Sequence, residues 1–206
     1  MRMSNKPKNY HHGDLHSEIL RVARVLLEEN NIASLSLRTV AKMIGVSHTA
    51  PYRHFKNKEG LLAGIASQGY EELTEQLKAA VDSHPNQPAL QLEEAGRRYV
   101  QLGLISPQCT QLMFGGVLPR DDRYPEFKVS SERAFDSLKK IIKSGQSNNV
   151  FKNDDPQILA LAAWSGIHGL TMLLISGSIQ EKIIMDVDLK PLISAITSTI
   201  LTGLRI

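Results

Sequence analysis

The chain has 206 residues and 42% hydrophobic content, enough to bury a real core in one or two domains. One cysteine, Cys109, excludes an internal disulfide framework and a multi-cysteine zinc site. The net charge of +3 hides an asymmetry: residues 1–58 hold ten Lys/Arg against four Asp/Glu and five of the seven histidines, and the rest of the chain is net acidic. A basic N-terminal quarter on a mildly acidic body points to a polyanion-binding head on a domain that handles partners or ligands.

The hydrophobic pattern is helical along the whole chain, with no alternating strand signature and no repeat of fixed period. The opening MRMSNKPKNYHHGD carries no apolar run, so no secretory signal is expected and the predicted location is cytoplasmic. Asp14 is predicted to cap a first helix with the apolar stripe Leu15, Ile19, Ala23, Leu26 and Leu27. That helix should end near Asn30-Asn31, residues that tolerate a left-handed turn. Ser36 caps a predicted second helix burying Leu37, Val40, Ala41 and Ile44, and Gly45 stops it. After a short helix of about eight residues, Asn57 is predicted to cap a long one running to about Ser83. Leu61, Leu62, Ile65, Tyr70, Leu73, Leu77 and Val81 fall on one side of it. Later helices are expected over 88–106, 126–145, 154–178 and 189–204, punctuated by prolines.

The stretch GVSHTAPYRHFKNKEGLL, residues 45 to 62, gives the head its character. Two short helices joined by a glycine-containing turn form the helix-turn-helix pattern. Ala41 allows a close crossing, Gly45 takes a positive φ, and Val46 plugs the angle between the helices. Pro51 and Phe55, spaced i and i+4, face inward, which turns Thr49, Ala50 and Arg53 outward with His48 and Tyr52 on the flank. Pro51 sits in the first turn, where its missing N–H costs at most about one hydrogen bond. Short or flat groups at the start of a recognition helix let the backbone approach base edges.

The segment LSLRTVAKMIGVSHTAPYRHFKNKEGLL closely resembles the DNA-binding domain of the tetracycline-repressor (TetR) family of transcriptional regulators, over about residues 10–70. The resemblance implies an all-α protein: a three-helix head over 10–70, then a helical bundle over 71–206 for effector binding and dimerisation. By the same resemblance, Arg38 and Thr39 match positions touching a base or phosphate, and His48, Thr49 and Ala50 match the base-reading start of the recognition helix. Tyr52 and His54 match phosphate-contacting positions, and Lys58 matches the residue that meets phosphate at the next helix N-terminus. Arg53 joins this set from its outward position. Pro51 replaces a more usual aliphatic residue.

YHHGDL, from Tyr10 to Leu15, resembles the arm of a subgroup of these regulators. With Tyr10, His11 and His12, such an arm would reach a phosphate or the minor groove. His12 and His16 also have the i, i+4 spacing of a metal pair, but no cysteine partner or HExxH accompanies them, and no metal is expected. A plain tail leading to a helix cap is the third reading. WSGIHGL and SPQCTQLMFG resemble the C-terminal domain that accompanies such heads, named for a Trp-His-Gly pattern carried here by Trp164, His168 and Gly169.

Tyr99, Cys109, Met113, Phe114, Trp164 and His168 are the candidate effector-binding residues, suited to a mostly apolar cavity with few polar anchors. Trp164 and His168, i and i+4 on one helix face, read first as core and second as ligand contacts. Residues 156–180 carry no formal charge and are long enough to cross a membrane, yet His168 and several Ser, Thr and Gly residues argue against insertion. A helix buried between its own domain and a dimer mate needs the same composition. No nucleophile elbow, P-loop or dinucleotide glycine pattern appears, so neither an enzyme nor a cofactor is expected. The sequence thus reads as a ligand-responsive repressor that binds a palindromic double-stranded DNA operator as a homodimer. An activator or constitutive binder without an effector is the alternative.

Overall fold

The computed structural model describes residues 12–119, 122–178 and 189–205. Among these residues it is all α-helical: α1 His12–Ser34, α2 Leu37–Ile44, a 3-10 turn Pro51–Arg53, α3 Lys58–Ser83, α4 Pro88–Ile105, α5 Pro107–Phe114, α6 Pro125–Ser147, α7 Pro156–Ile175 and α8 Leu189–Leu204. The chain divides into two compact units, one through Ile65 and one from Ala66 onward.

In the first unit α1 buries Ile19, Leu20, Val22, Ala23, Leu26 and Leu27. An N-cap residue must leave helical geometry, so Asp14, lying inside α1, is not the cap that was expected. At the other end Asn31 takes φ 68°, ψ 175° and breaks the helical path. Its Oδ1 accepts the Ala33 N–H at 2.8 Å, which restarts one more turn. Asparagine tolerates this backbone because its short polar side chain bonds locally.

Helix α2 is specified at both ends. Ser36 is extended and its Oγ accepts the Thr39 N–H at 3.0 Å. Gly45 is left-handed, φ 78°, and its N–H returns to the Ala41 carbonyl, as does that of Val46. Leu37, Val40 and Ala41 are buried, and Ile44 is half-buried. Asn57 Oδ1 accepts the Gly60 N–H at 2.8 Å and starts α3. A Cβ on Gly64 would lie 2.9 Å from Leu20 and 3.1 Å from Phe55, so glycine there lets α3 close onto both.

In the second unit, four helices begin on proline at the first helical position: Pro88, Pro107, Pro125 and Pro156. Asp155 reinforces the last, its carboxylate accepting the Gln157 N–H at 2.8 Å. Helix α4 packs against α6, α7 and α8 and buries Leu92, Ala95, Tyr99 and Val100. Arg98 hydrogen-bonds Gln76 of α3 at 2.9 Å while bonding Glu94 at 2.6 Å. Hydrogen bonds from Arg97 and Arg98 hold the Glu94 carboxyl below the usual carboxylate range. Helix α5 had no counterpart in the sequence reading. Phe151 is buried against Gly145, and the Lys152 N–H bonds the Leu204 carbonyl at 2.8 Å, tying the end of α8 to the α6–α7 connection.

Helix α7 is, among the described residues, the one helix long and apolar enough to cross a membrane. It buries Leu159, Ala160, Ala163, Ile167, Leu170 and Thr171 within the unit. Ile158, Leu161 and Leu173 stay exposed on it.

Candidate nucleic-acid interface and apolar cavity

The turn after α2 decides what the head presents. Pro51 has no N–H, so the Ser47 carbonyl cannot receive an α-helical bond from it; the Ala50 N–H bonds that carbonyl instead, at 3.0 Å. The predicted eight-residue helix is therefore a turn over Ser47–Ala50 followed by 3-10 geometry, with one α-type bond, Phe55 N–H to Pro51, at 2.9 Å. The facing of the side chains nonetheless follows the sequence reading. Pro51 and Phe55 are buried, while His48, Thr49, Tyr52 and Arg53 are exposed and Ala50 is half-buried. Ser47 and Thr49 hydroxyls lie 3.2 Å apart, which orients Thr49 on the outer side of the turn.

Around this row the remaining candidates have local tasks. Arg38 is exposed early in α2, and the Thr39 hydroxyl lies 2.7 Å from Ser36 Oγ. His54 is half-buried, its ring centroid 5.8 Å from that of His16, and His16 stacks on Phe55 at 4.9 Å. Lys58 Nζ donates to the Ile32 carbonyl at 2.5 Å and to Ala33 at 3.2 Å. Its ammonium thus sits on the last carbonyls of α1, where a cation complements the helix dipole. Tyr10 and His11 lie outside the described residues, as does the side chain of His12. Among the described residues no group of three or more metal-ligating side chains forms.

The second unit holds a cavity of about 390 Å³. Helix α3 supplies Tyr70, Leu73 and Leu77, α4 Tyr99, α5 Phe114, α6 Ser131, Glu132, Ala134, Phe135 and Leu138, and α7 Gln157, Leu161 and Trp164. Phe114 forms its aromatic hinge, 5.5 Å from the Trp164 ring, 4.8 Å from His168 and 5.4 Å from Tyr70. Tyr70 is fixed by donating to the Met113 carbonyl at 2.8 Å. Tyr99 Oη lies 2.8 Å from His168 Nδ1. Burial raises the Tyr99 phenol above its usual range and lowers His168, so the bond joins a protonated phenol to a neutral imidazole.

Of the six residues expected to bind an effector, Tyr99, Phe114 and Trp164 line this space. His168 touches it through Tyr99. Cys109 and Met113 are not among its lining residues: both are buried and face α3, where a Cβ on Gly69 would lie 2.9 Å from Cys109 Sγ and 2.5 Å from Met113 Sδ. The bare glycine draws them into the helix contact and away from the void. The α6 wall was missed altogether. Phe135 and Leu138, three apart on α6, were the signal available for it.

Residues 19–65 match the family model described as bacterial regulatory proteins, tetR family. The chain carries a TetR-family N-terminal domain. That domain is the DNA-binding module of these transcriptional regulators, and the exposed row from Arg38 to Arg53 belongs to it. No curated protein matches the chain. Among solved structures, a protein of unknown function from Rhodococcus sp. RHA1 is similar over 97% of this chain and 100% of that one, with 26% identity and a TM-score of 0.84. The TetR-family regulator PfmR from Thermus thermophilus shares the fold at 20% identity and a TM-score of 0.67, over 89% of this chain and 97% of that one. The fatty acid degradation regulator FadR from Bacillus halodurans shares it at 12% identity and a TM-score of 0.72, over 97% of each chain. The TetR-like fold therefore extends beyond the DNA-binding domain through the helical bundle.

Proposed function

We propose that this chain is a ligand-responsive repressor acting in the cytoplasm, which binds a palindromic operator as a homodimer and releases it when an effector fills the second unit's cavity. The reading is carried by one observation: the TetR-family head presents His48, Thr49, Tyr52 and Arg53 outward on a segment anchored by buried Pro51 and Phe55. Thr49 and Ala50 are short enough for base edges, Arg38 and Arg53 supply cationic contacts, and the positive dipole end of α3 at Lys58 suits a phosphate. Tyr52, His54 and the arm residues Tyr10, His11 and His12 complete the proposed DNA surface. Lys58 serves it through its backbone position, since its ammonium caps α1.

Pairing of two copies is assigned to α7 and α8, whose outer residues include Ile158, Leu161 and Leu173 and no formal charge from Pro156 to Ile175. Helix α3 links the two activities, because Lys58 begins it and Tyr70, Leu73 and Leu77 line the cavity further along it. A ligand bearing on those three shifts the helix that starts in the head, and a near-complete switch needs a preference for the released shape on the order of 5 kcal/mol.

Selection of binding sites from random duplex DNA, followed by gel shifts, tests the proposal. A two-fold symmetric preferred site bound by two copies is expected. Binding with no sequence preference, or by a single copy at full affinity, would overturn it.

A further inference from the structure

The electrostatics of the cavity are lopsided. Five aromatic rings line it, those of Tyr70, Tyr99, Phe114, Phe135 and Trp164, and the charged group among its described lining residues is the carboxylate of Glu132. Aromatic faces carry negative potential and attract cations, the more so where water is displaced. On α6, Lys128 pairs with Asp122 at 3.1 Å and also feels the Glu132 carboxylate, and Lys139 pairs with Asp136 at 2.6 Å with its ammonium 5.9 Å from the Phe135 ring centroid.

We infer that this cavity takes a lipophilic cation, an apolar body bearing an ammonium-type head, in preference to a fatty carboxylate of the same size. The inference rests on the reading of the cavity as the effector site. Its volume lies in the range of pockets that enclose small organic ligands. An ammonium head set between aromatic faces keeps Glu132 as its counter-ion at the rim. A buried carboxylate needs a cation or several converging N–H donors. Here it would meet the Glu132 carboxylate, the Ser131 hydroxyl and the Gln157 amide, while the Tyr99 hydroxyl is held by His168. The head group is thus discriminated by repulsion as well as by attraction.

Trp164 is the chain's single tryptophan and lines the cavity, so its fluorescence reports occupancy directly. The full chain is titrated with octyltrimethylammonium, 1-octanol and octanoate, each below its micelle-forming concentration. These probes share one apolar body and differ in head charge. The cation is expected to bind at least about tenfold more tightly than octanoate, with octanol between them. Glu132 is exposed, so Glu132→Gln leaves the core untouched and should narrow the cation-to-octanol affinity ratio about fivefold. Octanoate binding as tightly as the cation would overturn the head-group inference while leaving the effector cavity standing. No Trp164 response to any of the three would remove the cavity reading, and the inference with it.

Discussion

Tyr99 on α4 and His168 on α7 are joined by a hydrogen bond of 2.8 Å, and burial makes the protonation state of each one-sided. The buried phenol stays protonated, and the imidazole, its pKa lowered by burial, stays neutral. A lowered histidine pKa means that the unfolded chain binds the proton more readily than the folded one. This contribution to stability is complete above the ordinary histidine value of about 6.5 and is lost as pH falls from there through the lowered folded value. Thermal unfolding should therefore show stability falling below about pH 6.5, and His168→Gln should flatten that part of the profile. An unchanged slope in the variant would detach His168 from the effect.

On DNA, Arg53 and Lys58 should behave differently although both are basic. Arg53→Ala is expected to weaken binding to all sequences and lower the slope of log affinity against log salt by about one. Lys58→Ala should leave the slope nearly unchanged and lower head stability by about 0.5–1 kcal/mol through loss of the α1 cap. Salt titrations by fluorescence anisotropy, paired with thermal melts, separate the two.

Thr49 should govern choice and not strength. Thr49→Ala is expected to change the preferred base at one position of each half-site, with a discrimination loss of about 1–3 kcal/mol there. Repeating the site selection with the variant gives the answer; an identical consensus would place the reading surface elsewhere.

A charge in the last turn of the outer face of α7 should separate the copies. Leu173 is 48% exposed, so Leu173→Glu costs the isolated chain little. Sedimentation is expected to give monomers that no longer hold the operator.

Gly69→Ala should overpack the contact between α3 and α5, since its Cβ would fall 2.5 Å from Met113 Sδ. A loss of about 1–3 kcal/mol is expected in chemical denaturation. Met113→Ala in the same chain should recover part of it.

What the sequence made legible was local. Ser36 and Gly45 bound α2 because a cap and a left-handed stop act within four residues, and Asn31 turned the chain for the same kind of reason. Pro51 was equally local, but its consequence was underweighted: a missing N–H there replaces an α-helical bond with a 3-10 turn. Helix α5 escaped because Pro107 reads first as an interruption, whereas it occupies the first position of a new helix. The cavity was half-visible. Tyr99, Phe114 and Trp164 stood out as aromatics, but whether a side chain faces a void or a neighbour depends on packing between distant segments. Gly69 diverts Cys109 and Met113, and α6 contributes Phe135 and Glu132, through contacts that no short window of sequence contains.

The bond from the Lys152 amide to the Leu204 carbonyl joins positions far apart along the chain. Closing so long a loop is entropically slow, and contacts of this kind form after nearer ones. A ribosome also delivers Lys152 well before Leu204. The helices around the cavity are therefore expected to pack before this bond forms, and α8 to dock onto a surface that already exists. Since α8 carries part of the proposed pairing face, the proposed joining of two copies along it would wait until residues 189–204 have left the ribosome.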